Sequence, residues 1–224
     1  MKSNYRAENE DGKLKSHSLL IDFIQDHLKC VVGATMPASS LKFEEKIINR
    51  TQWPVLDFAE LDKSVYTKLV RKLKVNSYDN CTITTYCCDV IDMILKTKNV
   101  YNFIWLDYCG IFTEEIWNGW NKILNSKKLE KDCIIAITLS GRREHVANID
   151  FYKAVVKEVL GKKYNFSKNQ TNGINLSKFR NIDIPILLET AIINSGFNIA
   201  TKPVHFSYKT PAPMKLYYYH LKRN

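Results

Sequence analysis

The chain has 224 residues, of which 45% are hydrophobic, and a formal net charge of +10 at pH 7. This length is sufficient for one well-packed core, and no shift in composition divides the chain, so we expect a single domain. The amino terminus is polar and no apolar run approaches the roughly 20 residues that span a bilayer, which predicts no secretory segment and no membrane contact. The positive charge favours an anionic partner, and nucleic acid fits best.

Six cysteines occur, without a CxxC pair and without a spacing of Cys and His typical of zinc ligands. We therefore expect a reduced, soluble protein of the cytoplasm or nucleus with no metal site. Most of these cysteines fall in apolar runs, where a free thiol behaves as a small hydrophobe, and we expect them to be buried.

In chain order, residues 1–15 are predicted to form a mobile arm, and helical spacing of apolar residues predicts a helix over 16–29. Five units of a strand and a helix follow. The predicted strands are 30–35, 54–59, 81–88, 100–106 and 132–139, and the predicted helices are 41–49, 63–73, 90–96, 113–124 and 144–160. The strands are continuous apolar runs, as expected when helices cover both faces of a parallel sheet.

The last part of the chain departs from this alternation. A basic loop insertion is predicted near 161–180, followed by an apolar helix that ends at Gly196 and by two strands joined at Pro211 and Pro213. Two consecutive strands with a tight connection form an antiparallel hairpin. The predicted fold is therefore α/β: a Rossmann-like, mostly parallel seven-stranded sheet with a C-terminal antiparallel β-hairpin.

Polar residues follow the predicted strands where each strand ends. Because the carboxyl ends of parallel strands meet at one edge of the sheet, we expect these residues to lie around a common ligand site. They are Glu60 and Asp62 after the second strand, Asp89 after the third, Asp107 and Tyr108 after the fourth, and Arg142 and Arg143 after the fifth.

This order of strands and strand-end acids resembles the class I, Rossmann-like S-adenosylmethionine-dependent methyltransferases. The resemblance covers the chain from about Ser16 onward and rests on architecture more than on exact motifs. It implies S-adenosylmethionine as cofactor, with Asp107 and Tyr108 at the methyl acceptor. The residues implied to bind the cofactor are Gly33, Ala34, Pro37 and Ser39 in the first loop, Glu60 or Asp62 at the ribose, and Asp89 with Val90 at the adenine.

Two motifs of that family are altered. The first loop lacks a glycine-rich run, and the sequence Asp107-Tyr-Cys-Gly lacks the prolines of amino-methylating enzymes. Each strand-end acid also has a structural alternative, because a carboxylate at this position can cap the following helix. Tyr108 can stack on a flipped base or pack beneath the sheet edge.

The basic residues offer contacts to an anionic substrate. Arg142 and Arg143 can bind phosphate in a bidentate manner, or be ordinary surface residues. The loop from Lys162 to Arg180 interleaves lysines with Tyr164, Phe166 and Phe179, a mixture used to bind single strands, although a solvated loop has the same composition.

These observations lead to an expected function and its rivals. The first expectation is a methyltransferase that acts on nucleic acid, RNA or DNA. The second is a catalytically inactive, methyltransferase-like scaffold that binds nucleic acid or a partner. A nucleotide-dependent Rossmann enzyme is disfavoured because no GxGxxG follows the first strand.

Overall fold

The computed structural model describes residues 10–37, 40–76, 78–108, 110–141, 148–161, 178–209 and 213–223. The helices are α1 (Glu10–His27), α2 (Lys42–Arg50), α3 (Lys63–Val75), α4 (Val90–Lys96), α5 (Glu114–Leu124), α6 (Ile149–Leu160) and α7 (Ile184–Asn194). The strands are β1 (Val32–Thr35), β2 (Val55–Ala59), β3 (Thr82–Tyr86), β4 (Tyr101–Asp107), β5 (Leu129–Ser140), β6 (Asn198–Ile199), β7 (Val204–Lys209) and β8 (Pro213–Lys222).

The strands form one sheet in the order β3-β2-β1-β4-β5-β8-β6, with β7 also paired to β8. β1 to β5 are parallel, and β8 runs antiparallel to β5. β6 and β7 both pair with the side of β8 away from β5, so they form one edge strand interrupted at residues 200–203. Counted in this way the sheet has the seven strands predicted, with the antiparallel hairpin at its end.

Helices cover the sheet in two layers, because the central strands are apolar on both faces. The first layer consists of α1, α2 and α3, whose buried side chains share a core with one face of the sheet. The second layer contains α4, α5, α6 and α7, which pack on the opposite face. No helix within the described ranges is long and apolar enough to cross a membrane.

Several boundaries differ from the prediction. α1 begins at Glu10, so residues 10–15 are helical although they were expected in the mobile arm; residues 1–9 lie outside the described residues. Residues 162–177 of the predicted loop insertion also lie outside them, and its end is helical because Phe179–Asp183 forms a π-helical turn leading into α7.

The prediction that most cysteines are buried is wrong for the described ones. Of the five, Cys133 alone is buried, whereas Cys30 and Cys87 are exposed and Cys81 and Cys88 are intermediate. The reason is position: Cys30 precedes β1, and the other exposed or half-exposed thiols lie beside β3, an edge strand that the helices cover incompletely.

Candidate functional site at the carboxyl edge of the sheet

The sheet has one topological switch point, between β1 and β4. β2 and β3 lie on one side of this pair and β5 on the other, so the connections after β1 and β4 leave in opposite directions. A crevice opens at such a point beyond the carboxyl ends of the strands, and ligands of open α/β sheets bind there. The residues at the ends of β1 and β4 therefore border this crevice.

Asp107 is the last residue of β4, and its side chain is 13% exposed. Its Oδ2 lies 3.7 Å from the Nζ of Lys13, which reaches over the edge from the first turn of α1. Burial raises the pKa of Asp107, and the Lys13 charge and the Thr138 hydroxyl partly offset this effect. Thr138 is paired with Asp107 across β4 and β5, and it also accepts a hydrogen bond from Trp105 Nε1 at 2.9 Å.

A second carboxyl group lies in the same cluster. Glu44, in the first turn of α2, is 3% exposed, and its Oε1 accepts a hydrogen bond of 3.2 Å from Thr35 Oγ1 at the end of β1. Burial raises the pKa of Glu44 to about 7, and the charge of Asp107 acts in the same direction while Lys13 opposes it. One lysine thus faces two carboxyl groups that resist ionisation.

His17 completes the cluster one helical turn after Lys13. It is 4% exposed and lies edge-on to Phe43 and Trp105, with ring centroids 5.3 Å away in both cases. Within the described residues neither ring nitrogen has a hydrogen-bond partner. Burial, aided by the charges of nearby lysines, lowers the pKa of His17 to about 3, so the ring is neutral at physiological pH.

The arrangement can accept a cation or a hydrogen-bond donor. Lys13 occupies that position now, and its side chain is 39% exposed, so its ammonium group is still in contact with water. An amine brought to Asp107 would replace Lys13 without leaving the carboxylate unpaired, whereas an anion would face two carboxyl groups. The cluster therefore favours a cationic or donating group at the end of β4.

Glu60 follows β2 and is half-buried. Its Oε1 accepts a hydrogen bond of 2.8 Å from the backbone N–H of Asp62, and its other oxygen has no partner within the described part of the chain. Glu60 is not the cap of α3. One carboxylate oxygen thus remains available to a ligand at the edge.

Asp62 and Asp89 each cap the helix that follows, which was the structural alternative to a role in ligand binding. Asp62 caps α3 by accepting from the N–H groups of Ser64 and Val65 at 2.7 and 3.0 Å. Asp89 caps α4 by accepting from Ile91 and Asp92 at 2.8 and 3.3 Å. Val90, expected beside Asp89 at the adenine, is 2% exposed and packs in the core beneath α4.

β1 ends at Thr35, as predicted, so the loop after it begins at Met36 and not at Gly33. Gly33 and Ala34 lie inside this strand, and a Cβ at Gly33 would stand 3.1 Å from side-chain atoms of Leu56 and Phe103. Gly33 thus makes room for neighbouring side chains within the sheet. Pro37 is buried at the start of the loop, and Ser39 lies outside the described residues.

The loop ends at Leu41, which has a φ of 53° and is 1% exposed. A left-handed conformation is unusual for leucine and costs on the order of 1 kcal/mol. Burial of the Leu41 side chain in the core under α2 holds the backbone there. The turn from β1 into α2 is therefore shaped by a buried apolar residue and not by glycine.

Tyr108 does not lie beside Asp107 on the same face. Its ring packs against the core of the α4 and α5 layer, and its hydroxyl is 3.9 Å from where a Cβ at Gly119 would be, whereas Asp107 faces α1. Burial raises the pKa of Tyr108. Packing beneath the edge, the structural alternative, describes its position.

The predicted phosphate contacts Arg142 and Arg143 lie outside the described residues, as do Tyr164 and Phe166 of the basic loop. Phe179, the third aromatic residue assigned to that loop, is fully buried and packs against Phe112 and Tyr152. Its assignment as a stacking residue is therefore wrong, because the π-helical turn directs it into the core.

Sequence reasoning missed Lys13, His17, Thr35, Glu44 and Thr138. Two of them left a signal: His17 precedes Leu20, Ile21 and Ile24 at helical spacing, and Glu44 likewise precedes Ile47 and Ile48, so each polar side chain shares an apolar face. Lys13 left no such signal, because it lies in a polar segment that was predicted to be part of the mobile arm.

No family model matches the chain, and no curated protein matches it in sequence. Magnesium protoporphyrin IX methyltransferase (ChlM) from Synechocystis PCC 6803 with bound S-adenosylmethionine has a TM-score of 0.58 at 9% identity, covering 100% of this chain and 86% of that one. N-methyltransferase NodS from Bradyrhizobium japonicum WM9, in complex with S-adenosyl-L-homocysteine, has a TM-score of 0.53 at 11% identity, covering 98% and 93%.

A third solved structure, Trm1 from Pyrococcus horikoshii with S-adenosyl-L-methionine, has a TM-score of 0.60 at 9% identity, covering 100% of this chain and 58% of that one. At such identities the likeness shows the fold alone. The chain has the Rossmann-like fold of the class I S-adenosylmethionine-dependent methyltransferases, and the predicted fold class is confirmed.

Proposed function

We propose that this protein is an intracellular S-adenosylmethionine-dependent methyltransferase that acts on nucleic acid. The observation that carries the proposal is Asp107: a largely buried carboxyl group that ends the central strand at the switch point of a methyltransferase fold. An acid there is costly for stability, because burial disfavours its charge, and Lys13 and Thr138 offset the cost only in part.

Among the residues that follow β2 and β3, Glu60 fits the cofactor. Glu60 has a carboxylate oxygen without a partner among the described residues, and a carboxylate can accept two ribose hydroxyls in charge-assisted hydrogen bonds. Asp62 and Asp89 are occupied as helix caps, so we assign the ribose to Glu60 and leave to Asp89 only its exposed second oxygen. When bound, the cofactor supplies a methyl group on a sulfonium centre.

The first loop is included in the proposed cofactor site, from Pro37 to Ser39, while Gly33 and Ala34 support it from within β1. The amino group of the acceptor is assigned to Asp107. By accepting a hydrogen bond from that amine in place of Lys13, Asp107 would fix the direction of its lone pair, and such orientation is worth several orders of magnitude in rate. Tyr108, whose ring packs in the opposite layer, is not assigned to the acceptor.

The nucleic-acid part of the proposal is supported by the net charge of +10. Arg142 and Arg143 follow the end of β5 in sequence and remain proposed phosphate contacts. The charge alone selects neither RNA nor DNA.

Calorimetry tests the cofactor assignment. We expect heat on adding S-adenosylmethionine or S-adenosylhomocysteine, and we expect Glu60→Ala to weaken that binding at least tenfold, because a charge-assisted contact is lost. Glu130→Gln is the matched control, since it removes an exposed carboxylate near the opposite edge of the sheet. The cofactor assignment would be contradicted if the wild type gave no heat. It would also be contradicted if the titrations of the wild type and Glu60→Ala were identical.

A catalytically inactive scaffold is the second candidate, and two observations favour it. The Lys13–Asp107 ion pair closes the acceptor position, and Leu41 takes the place of glycine in the turn after β1. Nucleic-acid binding by a preparation that gives no heat with the cofactor would support the scaffold over the enzyme.

A further inference from the structure

The helix α3 is densely positively charged. α3 contains five basic residues, Lys63, Lys68, Arg71, Lys72 and Lys74, and no acidic residue, whereas the whole chain has a net charge of +10. Each of the other helices, α1, α2, α4, α5, α6 and α7, contains at least one acidic side chain. Half of the net charge therefore resides in thirteen residues.

Most of these cations are free to act on a partner. Lys72 forms an ion pair of 2.7 Å with Glu45 and is occupied. The other four, Lys63, Lys68, Arg71 and Lys74, are exposed, and no described residue forms an ion pair with them. We call these four residues the α3 basic face.

The α3 basic face extends along the whole helix. At about 1.5 Å per residue, Lys68, Arg71 and Lys74 are spaced by roughly 4.5 Å along the axis, and Lys63 to Lys74 spans about 16 Å. Lys63 begins the face next to Asp62, at the carboxyl edge that contains Glu60. A linear polyanion lying on the face would thus have one end at the candidate site.

A groove runs beside the face, between α3 and the edge strand β3. Its volume is about 320 Å³, and its walls include Val70, Leu73, Lys74, Tyr78 and Ile83. Lys74 belongs to both the face and the groove. The phenol of Tyr78 is held by Glu45 Oε1 at 3.1 Å and by Asn76 Nδ2 at 3.2 Å, which fixes the ring in the wall.

We propose that the α3 basic face and its groove bind a single strand of nucleic acid, with phosphates on Lys68, Arg71 and Lys74 and a base against Tyr78. The inference rests on the proposed nucleic-acid substrate and names the surface that binds it. Lysine and arginine beside an aromatic wall match the two needs of a single strand, which are charge neutralisation along the backbone and stacking of bases.

An acidic protein is a poorer match for the same surface. Protein interfaces are depleted in lysine at their centres and pair charges of both signs, whereas the α3 basic face has one sign over its whole length. Nucleic acid has a uniform negative charge at regular spacing, which is the complement of such a surface.

The test is fluorescence anisotropy of a labelled single strand, as RNA and as DNA of one sequence, over a range of salt. The test variant is Lys68→Gln, Arg71→Gln, Lys74→Gln. The matched control is Lys122→Gln, Lys127→Gln, Lys157→Gln, which removes three exposed lysines belonging to α5, the turn after it and α6 in the opposite layer. Loss of three phosphate contacts should reduce the slope of log K against log salt by about 2, and lower the affinity at 0.1 M salt by roughly tenfold to a hundredfold.

A third variant, Tyr78→Leu, separates stacking from charge. Tyr78→Leu should weaken binding about fivefold or more while leaving the salt slope unchanged, because a stacked base is worth on the order of 1–3 kcal/mol and involves no counterion. Circular dichroism of each variant checks that the helices remain folded.

Each outcome bears on the inference. Loss confined to the test variant supports it. An equal loss of binding in the test and control variants overturns the inference, because the positive charge would then attract the strand from anywhere on the protein surface. Binding of polyglutamate by the wild type in place of nucleic acid, lost in the test variant, also overturns it and assigns an acidic protein to the face. If the wild type binds no single strand, the inference and the nucleic-acid substrate fail together, while calorimetry with the cofactor still decides the methyltransferase assignment by itself.

Discussion

The two halves of the carboxyl edge use acidic residues in opposite ways. The inner half, at the ends of β1, β4 and β5, buries Glu44 and Asp107 and pairs them with Thr35, Thr138 and Lys13. The outer half, at the ends of β2 and β3, keeps Glu60, Asp62 and Asp89 in contact with water. The inner acids have raised pKa values, whereas the outer acids serve as hydrogen-bond acceptors for backbone N–H groups.

The difference follows from solvation. Removing a carboxylate from water is costly unless a partner offsets the loss, so the inner half is held together by a mutually dependent set of groups. In the outer half the acids accept hydrogen bonds from backbone N–H groups and not from one another's side chains, so we expect a change in one side chain to leave the other two in place. Variants in the inner half should therefore change stability with a strong dependence on pH. Variants in the outer half should change it little, apart from those that remove one of the two helix caps, Asp62 and Asp89.

Glu44 should give the largest effect. The pKa of Glu44 is about 7 in the folded protein, above the usual value of 4.5. Between these two pH values the folded state retains a proton that the unfolded state has released. The free energy of unfolding contributed by Glu44 is therefore present below pH 4.5 and lost as pH rises to about 7, on the order of 3 kcal/mol. Glu44→Gln keeps the hydrogen bond from Thr35 and should abolish this loss.

The measurement is urea unfolding at intervals from pH 4.5 to pH 8. Glu45→Gln, one residue along the same helix turn, is the control, because Glu45 is a third exposed and pairs with Lys72 on the surface. Parallel pH profiles for wild type and Glu44→Gln would show that Glu44 is not the group that resists ionisation.

His17 should give the second effect, with the opposite sign. The pKa of His17 is about 3 in the folded protein, below the usual value of 6.5. Between these two pH values the unfolded state binds a proton that the folded state does not bind. Stability is lost as pH falls from 6.5 towards 3, by about 2 kcal/mol at pH 5. His17→Leu, which conserves volume, should remove this loss.

Glu44 and His17 have opposite effects on the pH dependence of stability. Between pH 4.5 and 6.5 their slopes oppose one another, so the wild type should be nearly flat in this window, Glu44→Gln should gain stability with rising pH, and His17→Leu should lose it. Slopes of the same sign in the two variants would contradict the comparison.

Asp89 should give the third effect, in the outer half. Asp89→Ala removes the side-chain cap of α4 and should cost about 1 kcal/mol of unfolding free energy at neutral pH. Asp89→Asn retains an oxygen acceptor and should lie close to wild type. If both variants were equally destabilised, the charge of Asp89 and not its capping bonds would be responsible.

Glu60 should give the smallest effect on stability. Glu60→Ala removes a single bond to Asp62 N–H at the surface and should leave the free energy of unfolding within about 0.5 kcal/mol of wild type. Any loss of cofactor binding by this variant would then report a lost contact. A large fall in the unfolding midpoint would instead make Glu60 a structural residue like Asp62.

The order of helices and strands was predictable because it depends on local patterns. α4 was predicted with its observed bounds, and Asp89 before it is the type of residue that caps a helix. The predicted start of α1 is too late, since Glu10 to Lys15 is polar and shows no apolar periodicity. In the structure this segment is helical, and Gly12 lies against Tyr208 and Lys209 of β7. That contact joins distant parts of the chain and has no local signature.

The candidate site was predictable only as a set of strand ends. Sequence alone determined the alternation of strands and helices, the closing hairpin and the presence of acids after β2, β3 and β4, because each of these depends on residues close together in the chain. The tertiary structure decided which acid is buried, that Lys13 pairs with Asp107, and that Tyr108 faces the other layer. Burial and charge pairing depend on elements that are far apart in the chain, here α1 with β4, and no periodicity within either segment reports them.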